Sequence, residues 1–206
     1  TRIRSIGRLD KETSGILLFA RNQVAAARLQ KQREEGKLQK KYLALAEGHL
    51  SEATDSVFWK EIAIPLAPDP ENPMKMTISP DGLLPGSRNA VTYYKNIKSF
   101  GNVTLVELQL ETGRTHQIRV HMSGIGHPLL GDTMYNPGTC LNMSNSKEKK
   151  NTEGRINNRN DCFKRAALHA WKLTFCHPFT DEIITLEAPL PDDFCRFLNA
   201  NEEEKT

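Results

Sequence analysis

The chain has 206 residues, 38% of them apolar and 26% charged, with a net charge of +3. This balance excludes a disordered chain and fits one large globular domain or two small ones, while so mild a charge does not by itself announce a nucleic-acid binder. No apolar run approaches the ~20 residues that span a bilayer, and no basic stretch followed by an apolar one opens the sequence, so neither a membrane helix nor a secretory signal is expected. Cys140, Cys162, Cys176 and Cys195 lie far apart, without paired metal spacing, and read as reduced and structural. His116 and His121 are five apart, whereas a helical zinc pair is four apart, so no metal site is expected.

Residues 1–10 are polar and basic and read as a loop leading into a strand at 16–21. Asn22 is placed to cap a helix starting near Gln23, which carries Val24, Ala25, Leu29 and Gln32 and stops at Gly36. Strands follow at 42–46 and 57–64, the second ended by Pro65. Residues 65–89 hold six prolines and read as one long loop. Residues 90–97 and 103–110 form a hairpin turning at Gly101-Asn102. The second of these strands alternates, with Val103, Leu105, Glu107 and Gln109 on one side and Thr104, Val106, Leu108 and Leu110 on the other. Thr115 is expected to cap a helix over 117–125, closed by Gly124 or Gly126.

Segment 138–165 carries seven Lys and Arg against three acids, an excess larger than that of the whole chain. It reads as a disordered basic insertion, either a solvated loop or an RNA-contacting arm. Strands at 167–175 and 183–186 flank a turn at 177–180, and 191–199 reads as an amphipathic helix. The pattern predicts an α+β fold: one mixed, mainly antiparallel sheet with flanking helices, a single domain over 1–206.

Asp10 follows Arg2, Arg4 and Arg8 and precedes the apolar run 16–20. It is a candidate active-site acid, although an aspartate beside Thr13, Ser14 and Gly15 equally suits a turn. The stretch 111–122, rich in Arg and His, is the second candidate region.

Five motifs in order resemble the RluA-type RNA pseudouridine synthase family: Gly7-Arg8-Leu9-Asp10 with Thr13-Ser14-Gly15, Lys41-Tyr42, 113–121 from Gly113-Arg114-Thr115-His116 to Val120-His121, 126–132 from Gly126-His127-Pro128 to Gly131-Asp132 with Tyr135, and 168–178. The resemblance implies the fold of that catalytic domain and an isomerase. The C1′–N1 bond of a uridine in tRNA or rRNA breaks, the uracil turns, and C5 joins C1′. Nothing is oxidised or reduced, so no cofactor is implied. Asp10 takes the catalytic role, by attack on C1′ or by abstraction of a sugar proton. Arg119 is implied as its ion-pair partner, which counters the upward push of burial on a carboxyl. Tyr42 is implied to stack on the base and to help remove the C5 proton.

The resemblance further implies RNA contacts from Arg8, Lys41, Arg114, His116 and Gln117. Arg8 would fill the gap left by an extruded uridine, and Lys41 is either a phosphate contact or a strand-edge charge. His116, Gln117, His121 and His127 are read as shaping the pocket. Thr13, Ser14 and Gly15 form the turn that aims Asp10, with Gly15 allowing a close approach. Gly7 stands where the family usually has histidine, and the strand pair that usually precedes the aspartate motif is absent, so the catalytic domain is expected to be truncated at its front. A monomer acting on structured RNA is expected, cytoplasmic or organellar and not secreted. Two other readings are an inactive RNA-binding relic of the same fold and a hydrolase with Glu12 as a second acid.

Overall fold

The computed structural model describes residues 2–50, 58–137 and 163–202. In chain order the elements are β1 (Arg4–Ile6), β2 (Ser14–Gly15), β3 (Leu18–Ala20), α1 (Gln23–Glu34), β4 (Gln39–Glu47), β5 (Lys60–Ala63), β6 (Leu66–Pro68), β7 (Met76–Ile78), β8 (Val91–Phe100), β9 (Val103–Leu110), α2 (Gln117–Gly124), β10 (Leu168–Cys176), β11 (Ile183–Glu187) and α3 (Asp192–Glu202). The main sheet runs β11-β10-β4-β9-β8-β5, antiparallel throughout, with β2 added in parallel along β10. This is the mixed, mainly antiparallel sheet expected from the sequence. β1 with β3 and β6 with β7 form two small antiparallel pairs.

β9 lies inside the sheet, and its first six residues are buried on both faces. Its period-two alternation therefore sorts two cores, not core from solvent. On one face Val106 and Leu108 join Tyr42, Ala44 and Ala46 of β4 and Leu168 and Ala170 of β10, beneath Ile118 and Met122 of α2. On the other face Val103, Leu105, Leu45 and Phe100 meet Phe194 and Phe197 of α3. Phe163 stands edge-on to Phe194 there, with ring centroids 5.4 Å apart.

α1 starts as expected: Asn22 Oδ1 accepts the Ala25 N–H at 2.8 Å. It ends at Gly36, with φ +70°. Ala25 and Leu29 pack on Ile6, Ala20, Leu173 and Phe175. Leu173 pairs with Lys40, two residues from Tyr42, and a bulge between Ala170 and Lys172 turns both Ala170 and Leu173 toward that face. α1 and α2 thus stand on the same face of the sheet, and the loop carrying Asp10 runs between them.

The structure departs from the sequence reading at several places. Residues 1–10 include β1, and the 16–21 strand shrinks to β3, with Phe19 exposed. Residues 65–89 are not one loop, because β6 and β7 pair and pack Leu66, Met76 and Ile78 against Val120 of α2. β5 begins at Lys60, and Trp59 before it lies under the ammonium groups of Lys41 and Lys95. Thr115 does not cap α2. The cap position is His116 in a left-handed conformation, φ 54°, without a side-chain cap. Most of the basic segment, 138–162, falls outside the described residues, together with Cys140 and Cys162. Its end, 163–165, is packed structure: Phe163 is buried, and Arg165 bonds to three carbonyls and to Asp193. Cys176 and Cys195 are free thiols. Among the described residues no helix is long and apolar enough to cross a membrane.

Phe194 is the wedge that seats α3 on the sheet. Phe194→Ala is expected to destabilise the fold by ~3–5 kcal/mol in urea titration. Val24→Ala, at a position 54% exposed, is expected to stay within ~0.5 kcal/mol.

Candidate active site

Asp10 lies half-buried on the loop between β1 and β2. A turn closes behind it, with the Thr13 N–H donating to the Asp10 carbonyl at 3.0 Å. The far side of the loop is fastened to β10: Ser14 Oγ lies 2.9 Å from His169 Nδ1, and Ile16 N–H donates to the Ala170 carbonyl at 2.9 Å. Gly15 permits this approach. Its φ is +113°, and a Cβ there would fall 2.2 Å from the Ala170 oxygen, within the backbone itself.

Arg119, only 3% exposed, holds the middle of the site. Its Nε and Nη2 each donate to the fully buried Asp132 carboxylate at 2.7 Å, a fork-to-fork pair. Nη2 also reaches Glu12 Oε2 at 3.2 Å. Burial alone would lower the guanidinium pKa, but the Asp132 bond and the charges of Asp132, Glu12 and Asp10 overcome it and raise the value. The sequence reading pairs Arg119 with Asp10. The structure instead gives its hydrogen bonds to Asp132 and Glu12, and Asp10 acts on it through charge at longer range. Glu12 is therefore engaged by Arg119 and by the Ala166 N–H at 3.4 Å.

Around Asp10 stand three aromatic groups that its charge reaches. Tyr42 is 7% exposed, and burial followed by the Asp10 carboxylate pushes its phenol up to about 12, against a small opposing pull from Arg33. Burial lowers the His116 imidazole, against the Asp10 charge. Burial raises the Tyr135 phenol, with Asp132 and Asp10 adding to it. Tyr135 Oη accepts the Met76 N–H at 3.0 Å and meets His116 Nδ1 at 2.8 Å, and its ring lies 5.1 Å from the Arg119 guanidinium. The hairpin of β6 and β7 is thereby tied to the start of α2.

Behind this wall a hydrogen-bond chain fixes α2 to β8. Gln117 Oε1 accepts from the Arg114 N–H and the Thr112 hydroxyl, both at 2.9 Å. Its Nε2 donates to the Val91 carbonyl and to Thr92 Oγ1. Thr92 then meets His121 Nδ1 at 2.8 Å, and His121 Nε2 donates to the Ile64 carbonyl. The full capacity of the Gln117 amide is used inside the protein. It frames the site and has nothing left to offer an RNA.

The remaining RNA-contact candidates separate in space. Arg8 is exposed beside Asp10. Arg114 sits at the rim of the site, its Nε donating to the Asn89 carbonyl at 3.0 Å. Lys41 points to the face opposite Tyr42, as adjacent strand residues must. There it pairs with Glu107 at 3.5 Å and covers Trp59, so it does not join Asp10. His127 holds the turn after β4, its Nδ1 donating to the Glu47 carbonyl at 2.9 Å.

A family model described as RNA pseudouridylate synthase matches residues 1–124. The chain belongs to the RNA pseudouridylate synthase family. It is 39% identical over 194 residues to a Bacillus subtilis protein named uncharacterized RNA pseudouridine synthase YhcT, covering 93% of this chain and 54% of that protein. It is 36% identical over 195 residues to ribosomal large subunit pseudouridine synthase D of Haemophilus influenzae, covering 95% of this chain and 55% of that one. The chain thus spans about half the length of the curated relatives it matches. The solved structure titled human RNA pseudouridylate synthase domain containing 4 superposes with a TM-score of 0.72 at 27% identity, over 97% of this chain and 76% of that one. The family and fold implied by the five motifs are borne out.

Three members of this candidate site escaped the sequence reading in their actual roles: Asp132, Glu12 and Arg165, which donates to the Glu12 carbonyl at 3.0 Å. Asp132→Ala strands a buried guanidinium and is expected to cost ~3–5 kcal/mol in chemical denaturation. Glu12→Gln, at a side chain 30% exposed, is expected to cost no more than ~1 kcal/mol. Burial lowers the pKa of His116, His121 and His169. Below ~6.5 the unfolded chain binds more protons than the folded one, so their contribution is whole above that pH and is lost as pH falls toward the folded values. The melting temperature is expected to drop between pH 7.5 and 5.5, and His121→Gln to drop less than the parent over the same interval.

Proposed function

We propose that this chain converts specific uridines of a structured RNA to pseudouridine, with Asp10 as the catalytic group. The observation that carries the reading is the half-buried Asp10 carboxylate facing Tyr42, His116, Tyr135 and Arg119, all of which feel its charge. A pyrimidine offers a flat face to the Tyr42 ring and a sugar carbon to the carboxylate. Tyr42 keeps its proton up to about 12, so the base meets a neutral ring and hydroxyl. Asp10 attacks C1′ or takes a sugar proton, the C1′–N1 bond opens, the uracil turns, and C5 bonds to C1′. The C5 proton is lost and N1 regains one, so atoms and electrons balance within the substrate.

Arg119 serves this chemistry indirectly, by holding Glu12 and so the loop that presents Asp10. The relative named ribosomal large subunit pseudouridine synthase D supports ribosomal RNA as the first substrate to test. Pseudouridine mapped at single-nucleotide resolution in total RNA, from cells expressing the chain, is expected to show new sites. Those sites should vanish with Asp10→Asn. RNA that stays bound but unmodified by the parent chain would overturn the isomerase and favour an RNA-binding relic.

A further inference from the structure

Arg33, in the last turn of α1, enters the interactions above only through its charge on Tyr42. A Cβ built on Gly7 would meet its Nε and Cζ at 3.8 and 3.9 Å, and one built on Gly113 would meet its Nη2 at 3.3 Å. The guanidinium therefore lies between two glycine backbones. One immediately precedes the Arg8-Leu9-Asp10 turn, and the other precedes Arg114, three residues before α2. Its charge opposes the rise of the Tyr42 phenol and adds to the lowering of the Lys40 ammonium by burial.

The residue is exposed, and among the described residues its guanidinium donates no hydrogen bond. The acids beside it are engaged elsewhere: Gln30 donates to Glu34 at 3.0 Å, and Lys37 and Lys31 hold Glu35 at 2.8 and 3.7 Å. Glu34 and Glu35, one and two residues further on, do not face Arg33 along the helix. Arg33 reaches across to the mouth of the site, flanked by Arg8 and Arg114, with its planar donors unspent.

We propose that Arg33 is an RNA-backbone contact, its guanidinium seated between Gly7 and Gly113 to bind a phosphate of the strand that presents the target uridine. The proposal rests on the isomerase reading above for its ligand. The two glycines matter to it unequally. A Cβ at Gly113 would press on Nη2 at 3.3 Å, whereas one at Gly7 would stand at ordinary contact distance, so it is the bare backbone of Gly113 that lets the guanidinium lie there while staying open to solvent. A phosphate there would sit on the near side of the extruded nucleotide, and Arg33 would fix the register of the strand and leave the base to Tyr42.

The test is RNA affinity without turnover, in the Asp10→Asn background, by fluorescence anisotropy with a labelled uridine-containing stem–loop RNA over a series of salt concentrations. Arg33→Met is expected to weaken binding about 3- to 10-fold and to flatten the log–log salt dependence by about 0.7–0.9, the release of one phosphate contact. Arg33→Lys is expected to restore the slope and part of the affinity. An unchanged affinity and slope for Arg33→Met overturns the proposal. So does weaker binding at an unchanged slope accompanied by a lowered melting temperature, the mark of a structural brace. Pseudouridine formation by the Arg33→Met chain at saturating RNA reads the isomerase separately. Sites made by the parent chain with no Arg33 effect on binding remove this contact alone, and absence of both pseudouridine and RNA binding in the parent removes both readings.

Discussion

The ion pair of Arg119 and Asp132 is the constraint on which the site depends. Desolvating two charges costs several kcal/mol per ion, and only close, multiple hydrogen bonds offset it. Asp132 meets that demand with two 2.7 Å bonds from the guanidinium and two 3.1 Å bonds from the Met134 and Tyr135 N–H groups. The pair therefore fixes α2, the turn after Asp132 and the orientation of Tyr135 at once. Glu12 extends the lock to the loop of Asp10. Arg119 is thus held rigidly in place.

Electrostatically, the pocket is an anion among neutral rings. Both phenols keep their protons well above physiological pH, and burial disfavours a charged His116. Of the cations near Asp10, Arg119 is locked in its ion pair, whereas Arg8, Arg33 and Arg114 are set at the rim. That division suits an RNA ligand. Arginines outside suit phosphates, and aromatic surface inside suits a base.

Much of this was legible in the residues because the signals were local. Asn22 and Gly36 bracket α1, and Gly101-Asn102 with the alternation after it marks the hairpin of β8 and β9. Asp10 and Tyr42 were found through contiguous motifs. What was missed had no local signal. β1, β6 and β7 have three residues each, too short to show a period, and the prolines of 65–89 masked a paired hairpin. Lys41 shares a motif with Tyr42, yet a strand sends neighbours to opposite faces. Gln117 sits among exposed-looking polar residues, and only the assembled fold shows its amide saturated. The partnership of Glu12 with Arg119 joins residues 107 apart in sequence, a distance over which no spacing rule operates.

The fastening of the Asp10 loop has a consequence for biogenesis. Apart from one local turn and a 3.4 Å bond from Lys40 to the Ile16 carbonyl, the hydrogen bonds of residues 12–16 run to distant chain: to Arg119, to Arg165 and Ala166, and to Leu168, His169 and Ala170, the pair of Ser14 with His169 spanning 155 residues. Closing so large a loop adds little to the equilibrium cost but slows the search for it. At a ribosomal pace of roughly 5–20 residues per second, the acid emerges roughly 8–30 seconds before the strand that must hold it. The loop of Asp10 is synthesised before the strand that seats it, so a nascent chain carries this carboxylate long before it carries the assembled site.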